Sequence, residues 1–181
     1  MCSSDLVTPH HLLLTDELAA GYDPVFKVNP PLRNAADVAE LRRALADGTI
    51  DCVATDHAPH PVEAKETEWS EAAFGMTGLE TALRVVQQAM VDTGLLDWRG
   101  VADRMSARPA RIGRLAGHGV LLAPGAPANL TLYDPGAAAE AVSAAGASKS
   151  RNTPFAGMEL PGRVVATFLR GAPTVLDGKL T

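Results

Sequence analysis

Cysteine is scarce in this sequence: Cys2 and Cys52 are its only two among 181 residues, and no CxxC pair occurs. That excludes a disulfide-stapled scaffold and a cysteine-rich zinc module, and two lone thiols fit a reducing cytoplasm. No run of 18 apolar residues appears either, so the sequence offers no membrane-spanning helix. Met1-Cys2-Ser3-Ser4-Asp5 lacks the basic-then-apolar order of a signal peptide. Positive charge is also in short supply. A net charge of −5 with no Lys/Arg cluster argues against a nucleic-acid surface. The remainder, 46% hydrophobic and 20% charged, is an ordinary globular balance, long enough for a substantial buried core.

Along the chain, Val7 to Thr15 reads as a short strand or strand end carrying Pro9-His10-His11. The quick entry into apolar Leu12-Leu13-Leu14 suits a chain that begins within a domain. Val25-Phe26-Lys27-Val28 is β-prone and stops at Asn29-Pro30-Pro31, where proline removes backbone donors. Asn34 is a helix N-cap candidate. Val38, Leu41 and Leu45 then recur at helical spacing up to Gly48. Ile50 to Ala54 is a buried-strand candidate that ends in Thr55-Asp56-His57-Ala58-Pro59-His60.

The order strand, helix, strand marks an α/β unit. Residues 61–76 read as a long functional loop. Leu79, Leu83, Val86 and Met90 predict a second helix ended by Gly94. A third follows through Val101 and Met105, and a fourth runs from Pro109 to Leu115 with Ser106 as its cap. Beyond residue 117 glycine and proline punctuate short β-prone pieces, chiefly Asn129 to Tyr133. Gly136 to Ser150 resembles a flexible loop, and Val164–Leu169 with Pro173–Leu176 make a hairpin candidate. The chain therefore divides into an α/β part, 1–117, and a small β part, 118–181.

Asp56 stands out chemically, at the end of a buried strand with histidines one and four positions later. In parallel α/β barrels, active sites gather at the carboxyl ends of strands. Carboxylate and imidazole both ligate zinc, and a carboxylate can also shuttle a proton. The plainer alternative makes Asp56 a turn cap and the histidines surface residues. Asn29 can both donate to and accept from a cyclic imide, and Arg33 can grip a carboxylate, although Asn-Pro-Pro is also good turn chemistry. The amides of Phe74-Gly75-Met76-Thr77-Gly78 can hold an anionic group or simply open a helix. Of His10 and His11, adjacent on a strand, at most one would face a site.

Taken together, Val7-Thr8-Pro9-His10-His11-Leu12, Lys27-Val28-Asn29-Pro30-Pro31-Leu32-Arg33, Ala54 to His60 and Phe74 to Glu80 resemble the larger bacterial dihydroorotases, in that family's order and approximate spacing. Ala123 to Leu132 and Ser150 to Phe155 are similar to its tail. The resemblance implies an α/β fold, the C-terminal part of an amidohydrolase (β/α)₈ TIM barrel plus a small β-domain segment. It also implies zinc-dependent, reversible closure of N-carbamoyl-L-aspartate to dihydroorotate in pyrimidine synthesis. By the same resemblance, Asp56 matches a zinc ligand that shuttles the proton. Asn29 and His60 match substrate-binding positions, and the backbone at Phe74-Gly75 matches the segment that holds the ring. His10 and His11 match a family pattern without being its zinc ligands.

The departure from the family is large, since no His-x-His pair occurs in these 181 residues. One aspartate cannot hold a catalytic zinc, which needs about three protein ligands. The expectation is therefore an incomplete barrel, inactive and poorly soluble alone, with exposed strand edges and apolar faces. The partners implied are a small-molecule substrate, with a homo-oligomer or an association with aspartate carbamoyltransferase possible. Allantoinases and dihydropyrimidinases resemble the chain around Asp56-His57 and Pro30-Pro31, but generally differ at the positions of Asn29 and His60. A non-catalytic dihydroorotase-like subunit supporting the carbamoyltransferase is the alternative of a different class, and a truncated reading frame is a third.

Overall fold

The computed structural model describes residues 4–142 and 146–181. Two short strands set its organisation. β1 (Leu6–Val7) pairs in parallel with β2 (Cys52–Val53), in the register Leu6↔Cys52 and Val7↔Val53. Parallel neighbours require a long crossover, and helices α1 (Pro9–Leu13) and α2 (Ala35–Asp47) lie within it. The carboxyl ends of both strands consequently open on the same side. β1 leads there into Thr8–His11, and β2 into Thr55–His60.

α2 forms as its sequence predicts. The Asn34 side chain accepts from the Asp37 amide at 3.0 Å, and Gly48 closes the helix at φ 94°. The segment at 7–15 differs from expectation: it is a helix rather than a strand. Thr8 caps it by accepting from the His11 amide, and Pro9 occupies the first turn, where its missing N–H costs nothing. His10 and His11 are consequently both buried instead of facing opposite ways.

Val25 and Phe26, expected as the start of a β-prone stretch through Val28, instead complete a 3₁₀ turn, Pro24–Phe26, capped by Asp23. Within the expected loop 61–76 sits a short helix, α3 (Val62–Lys65). α4 (Ala82–Val86) runs on through a π-turn, Gln87–Val91, while Leu79 stays outside and exposed. The third and fourth expected helices are continuous: α5 (Trp98–Ala102), a π-turn at Asp103–Ala107, then α6 (Arg108–Ile112). Ser106 lies inside that π-turn and caps nothing; the cap is Asp97, which accepts from the Gly100 amide at 2.7 Å.

β3 (Leu130–Asp134), β6 (Arg163–Leu169), β7 (Ala172–Leu176) and β8 (Lys179–Leu180) form an antiparallel sheet in the order β3-β6-β7-β8. The β6–β7 hairpin turns at Arg170-Gly171, both at positive φ. The stretch expected as a flexible loop, 136–150, contributes β4 (Glu140–Ala141), paired with β5 (Glu159–Leu160), and the buried Val142. The rest of that expectation, at 143–145, lies outside the described residues, as does Cys2.

Two apolar clusters hold the fold. One gathers Val7, Leu12, Leu45, Val53, Val86 and Met90 beneath the parallel strands. The other joins Leu14, Val28, Met76 and Val85 to Val142, Phe155 and Leu160, so it crosses residue 117. Polar ties cross there too. The Arg84 guanidinium donates to the carbonyls of Glu140 (2.8 Å), Pro161 (3.3 Å) and Leu160. The Tyr133 hydroxyl donates to Gln87 Oε1 at 2.7 Å, and burial pushes its pKa up to about 12. No helix among the described residues is long and apolar enough to cross a membrane.

Candidate active site

β2 delivers Asp56 to the surface in a left-handed backbone conformation, φ 48°, with its side chain exposed. A positive φ is uncommon for a non-glycine residue and least costly for Asp or Asn. The backbone leaves extended geometry there, and the next residue, His57, bridges in parallel to Met76 with its imidazole half-buried. His57 Nδ1 accepts from the amides of Gly78 (3.1 Å) and Leu79 (3.4 Å). A ring nitrogen that accepts from amides carries no proton, so the neutral His57 tautomer is protonated at Nε2. The Gly78 and Leu79 amides are thereby committed to His57, and an anion would have to displace it.

His60 faces Phe74. Its Nε2–H donates to the Phe74 carbonyl at 2.8 Å, which leaves Nδ1 as the acceptor of the neutral ring. Gly75 beside it has φ 120°, and a Cβ there would stand 2.6 Å from Ala58 Cβ and 3.2 Å from His60 Nε2. Only glycine permits so close an approach. The Gly75 amide donates to the Lys27 carbonyl at 2.9 Å, and its own carbonyl accepts from Lys65 Nζ (2.9 Å) and Asn152 Nδ2 (3.3 Å). Asn29 is exposed two residues beyond Lys27, after which the Asn29–Pro30 peptide is cis.

The structure thus joins His60, Phe74 and Gly75 directly and sets Asp56 on the same turn as His60. Asn29 connects to them through the Lys27 backbone. Arg33 is drawn elsewhere, into a surface pair with Asp37 at 2.9 Å.

Three buried polar residues that the sequence reading does not single out complete this framework. Asn152 accepts from the His60 amide (3.3 Å), donates to the Ala58 carbonyl (2.9 Å) as well as to Gly75, and accepts on its own carbonyl from the Thr77 amide (3.0 Å). Lys27 and Lys65 are the other two. Lys65 has its pKa pushed down to about 8, chiefly by burial, then by the charge of Lys27, against the opposing pull of Asp23. The available signal is the resemblance itself, since Lys27 and Asn152 lie inside matched motifs, around Asn29-Pro30-Pro31 and Ser150-Arg151-Asn152, whereas Lys65 lies in none.

These residues do not form a metal centre by themselves. Among the described residues, no group of three or more His, Cys, Asp or Glu side chains is placed to hold an ion. The histidines explain why. His11 Nδ1 accepts from the Thr8 hydroxyl at 2.6 Å while its Nε2–H donates to the carbonyls of Pro30 (3.1 Å) and Pro31 (3.2 Å). His10 is 1% exposed, with Nε2 unpartnered among the described residues. Its pKa falls to about 3, first through burial and then through the neighbouring His11.

No family model matches the chain. Similarity to individual proteins is extensive. A dihydroorotase of Streptomyces coelicolor is 66% identical over 97% of this chain and 41% of its own length. One of Leifsonia xyli is 65% identical over 95% of this chain and 39% of its own. One of Mycobacterium tuberculosis is 57% identical over 96% of this chain and 40% of its own. The chain therefore spans about two-fifths of the curated relatives it matches.

Among solved structures, an L-hydantoinase (dihydropyrimidinase) from Arthrobacter aurescens superposes with a TM-score of 0.86 at 31% identity, over 98% of this chain and 40% of that one. A D-hydantoinase (dihydropyrimidinase) from Thermus sp. gives 0.84 at 26%, with the same coverage. The α/β architecture is accordingly part of an amidohydrolase TIM barrel, with a small antiparallel segment appended. The fold likeness is to hydantoinases, but sequence identity is about twice as high toward dihydroorotases, and the chain belongs to the dihydroorotase family as a portion consistent with its C-terminal part.

Proposed function

We propose that these residues serve a zinc-dependent dihydroorotase that closes N-carbamoyl-L-aspartate reversibly to dihydroorotate, in the pyrimidine synthesis of the cytoplasm. Residues 1–117 would supply the barrel portion and 118–181 a segment of the small β-domain. One observation carries the reading: an exposed carboxylate, Asp56, ends a buried parallel strand on the turn that also fixes His60 against Phe74-Gly75. That is where barrel chemistry is sited.

In the hydrolytic direction, the Asp56 carboxylate accepts a proton from the attacking water and returns it to the leaving ring nitrogen. The same residue reverses both transfers on ring closure. Asn29 offers a donor and an acceptor to the ureide edge, while His60 and the Phe74-Gly75 backbone orient the ring. Zinc belongs to the proposal as the group the family implies, with Asp56 contributing one ligand. The described residues do not hold it alone. Likeness to hydantoinases keeps another cyclic amide as the second reading. A homo-oligomer, or association with aspartate carbamoyltransferase, extends the proposal.

The test is steady-state kinetics in a full-length dihydroorotase that contains these residues. Asp56→Asn lowers kcat by ~10²–10⁴-fold, the scale of general acid–base catalysis. Turnover within a small factor of the parent refutes the role. His60→Ala raises KM for dihydroorotate, and an unchanged KM removes His60 from the substrate site.

A further inference from the structure

Lys27 and Lys65 are 6% and 7% exposed, a rare state for lysine unless the charge is paired. Neither forms an ion pair with a carboxylate among the described residues. Backbone carbonyls surround both instead. Lys27 Nζ donates to Trp69 (2.6 Å), Ser70 (3.1 Å) and Ala72 (2.7 Å). Lys65 Nζ donates to Ala73 (2.9 Å), Gly75 (2.9 Å) and, at 3.4 Å, Lys27 itself.

Almost every acceptor therefore lies in one stretch, 69–75, which ends in Phe74-Gly75. The Lys27 backbone takes part as well, since its carbonyl receives the Gly75 amide. Its ammonium also stands 4.5 Å from the centroid of the Phe74 ring, within cation–π range. Phe74 remains 57% exposed, so packing alone does not fix its position.

Two like charges placed side by side in an interior oppose folding unless hydrogen bonds offset the cost, and here backbone carbonyls supply them. What they hold is an irregular segment whose amides at Glu71, Ala72, Ala73 and Gly75 find backbone acceptors, while the carbonyls the two ammoniums bind at Trp69, Ser70, Ala72, Ala73 and Gly75 receive no backbone amide among the described residues. We propose that Lys27 and Lys65 act together as a clamp that sets the Phe74 and Gly75 backbone against His60, and so are positioning residues for binding of the substrate ring. The identity of that ring rests on the dihydroorotase reading above; the clamp does not.

The experiment compares Lys65→Met, Lys27→Met and Lys65→Arg with the parent in a full-length dihydroorotase containing these residues. Two readouts are taken: amide hydrogen exchange at Gly75 and Thr77, and the separate kcat and KM for dihydroorotate. Loss of a buried donor at ~1.4 kcal/mol corresponds to about tenfold. The Met variants accelerate exchange at Gly75 and Thr77 by about tenfold while Ala54, bonded between the parallel strands, is unchanged. They raise KM by a similar factor and lower kcat less, and Lys65→Arg recovers most of the loss.

Unchanged Gly75 exchange in both Met variants overturns the clamp, as does equal acceleration at Ala54. A fall in kcat without any change in KM overturns the positioning role. Should Lys65→Met not fold, Lys27→Met, which removes the donor to the Trp69, Ser70 and Ala72 carbonyls, is read against the same thresholds. If the parent enzyme does not turn over dihydroorotate, the functional reading fails, yet the exchange comparison still decides the clamp.

Discussion

The turn at 54–60 and the stretch at 115–132 differ in what surrounds them. Around His60, polar groups are answered from within: imidazole by carbonyl, amide by Asn152, carbonyl by ammonium. Along 115–132, Val120, Leu121 and Leu122 are 61%, 91% and 78% exposed, and Leu115 and Leu132 are exposed beside them. Both regions belong to an ordinary globular composition, so residue content does not separate them. The first is secured by hydrogen bonds whose loss leaves buried orphans; the second derives little support from burial. Substitutions in the first region should therefore be costly, and those in the second cheap.

The largest effect expected on the costly side is acid sensitivity through His10. Its folded pKa, about 3, lies below the ordinary 6.5, so its contribution to stability is complete above pH 6.5. That contribution is lost as pH falls toward 3, in total on the order of 5 kcal/mol. Acid titration followed by circular dichroism checks this. His10→Leu should flatten the curve between pH 6.5 and 3, and an unaltered acid midpoint would break the assignment. Next comes Asn152→Ala, which strips partners from the His60 amide and from the Ala58 and Gly75 carbonyls. It should cost about 2–3 kcal/mol in denaturant unfolding, since the orphaned groups are buried.

Lys65 produces a smaller change with its own pH window. Its folded pKa of about 8 lies below 10.5, so stability rises as pH climbs from about 8 toward 10.5. Lys65→Met abolishes that rise. Lys27 and Asp23 act on Lys65, which shares a surface cavity with Asp23, Glu66, His60 and Arg151, and Asp23→Asn should lower the onset further. The smallest effect sharpens the contrast from the other side. Leu121→Ser with Leu122→Ser should change unfolding free energy by no more than about 0.5 kcal/mol and reduce aggregation in light scattering. A loss of several kcal/mol would show that the two regions are alike after all.

What the sequence discloses follows the same divide between near and far causes. α2 is legible because its cap, period and glycine stop all lie within fifteen residues, and the β6–β7 hairpin because its turn is local. Asp56 is legible as a candidate since a compact apolar run precedes it. The helix at Pro9–Leu13 was open to a local reading as well: Thr8-Pro9 is a helix start, obscured by the apolar run behind it. Lys27, Lys65 and Asn152 are another matter. Their partners lie 38 to 94 residues away along the chain, apart from the Lys65 contacts with Ala73 and Gly75. Those partners are chiefly backbone groups, which every residue carries, so no side-chain pattern announces them.

The three carbonyls gathered by Arg84 have a mechanical corollary. A single guanidinium rooted in α4 collects both arms of the β4–β5 ribbon, so the ribbon and the helix share one pivot. Because α4 also packs its Val85 into the cluster with Met76, a tilt of that helix would be transmitted to the ribbon and to the floor beneath Gly75 together. Strain introduced at either end should therefore be felt at the other.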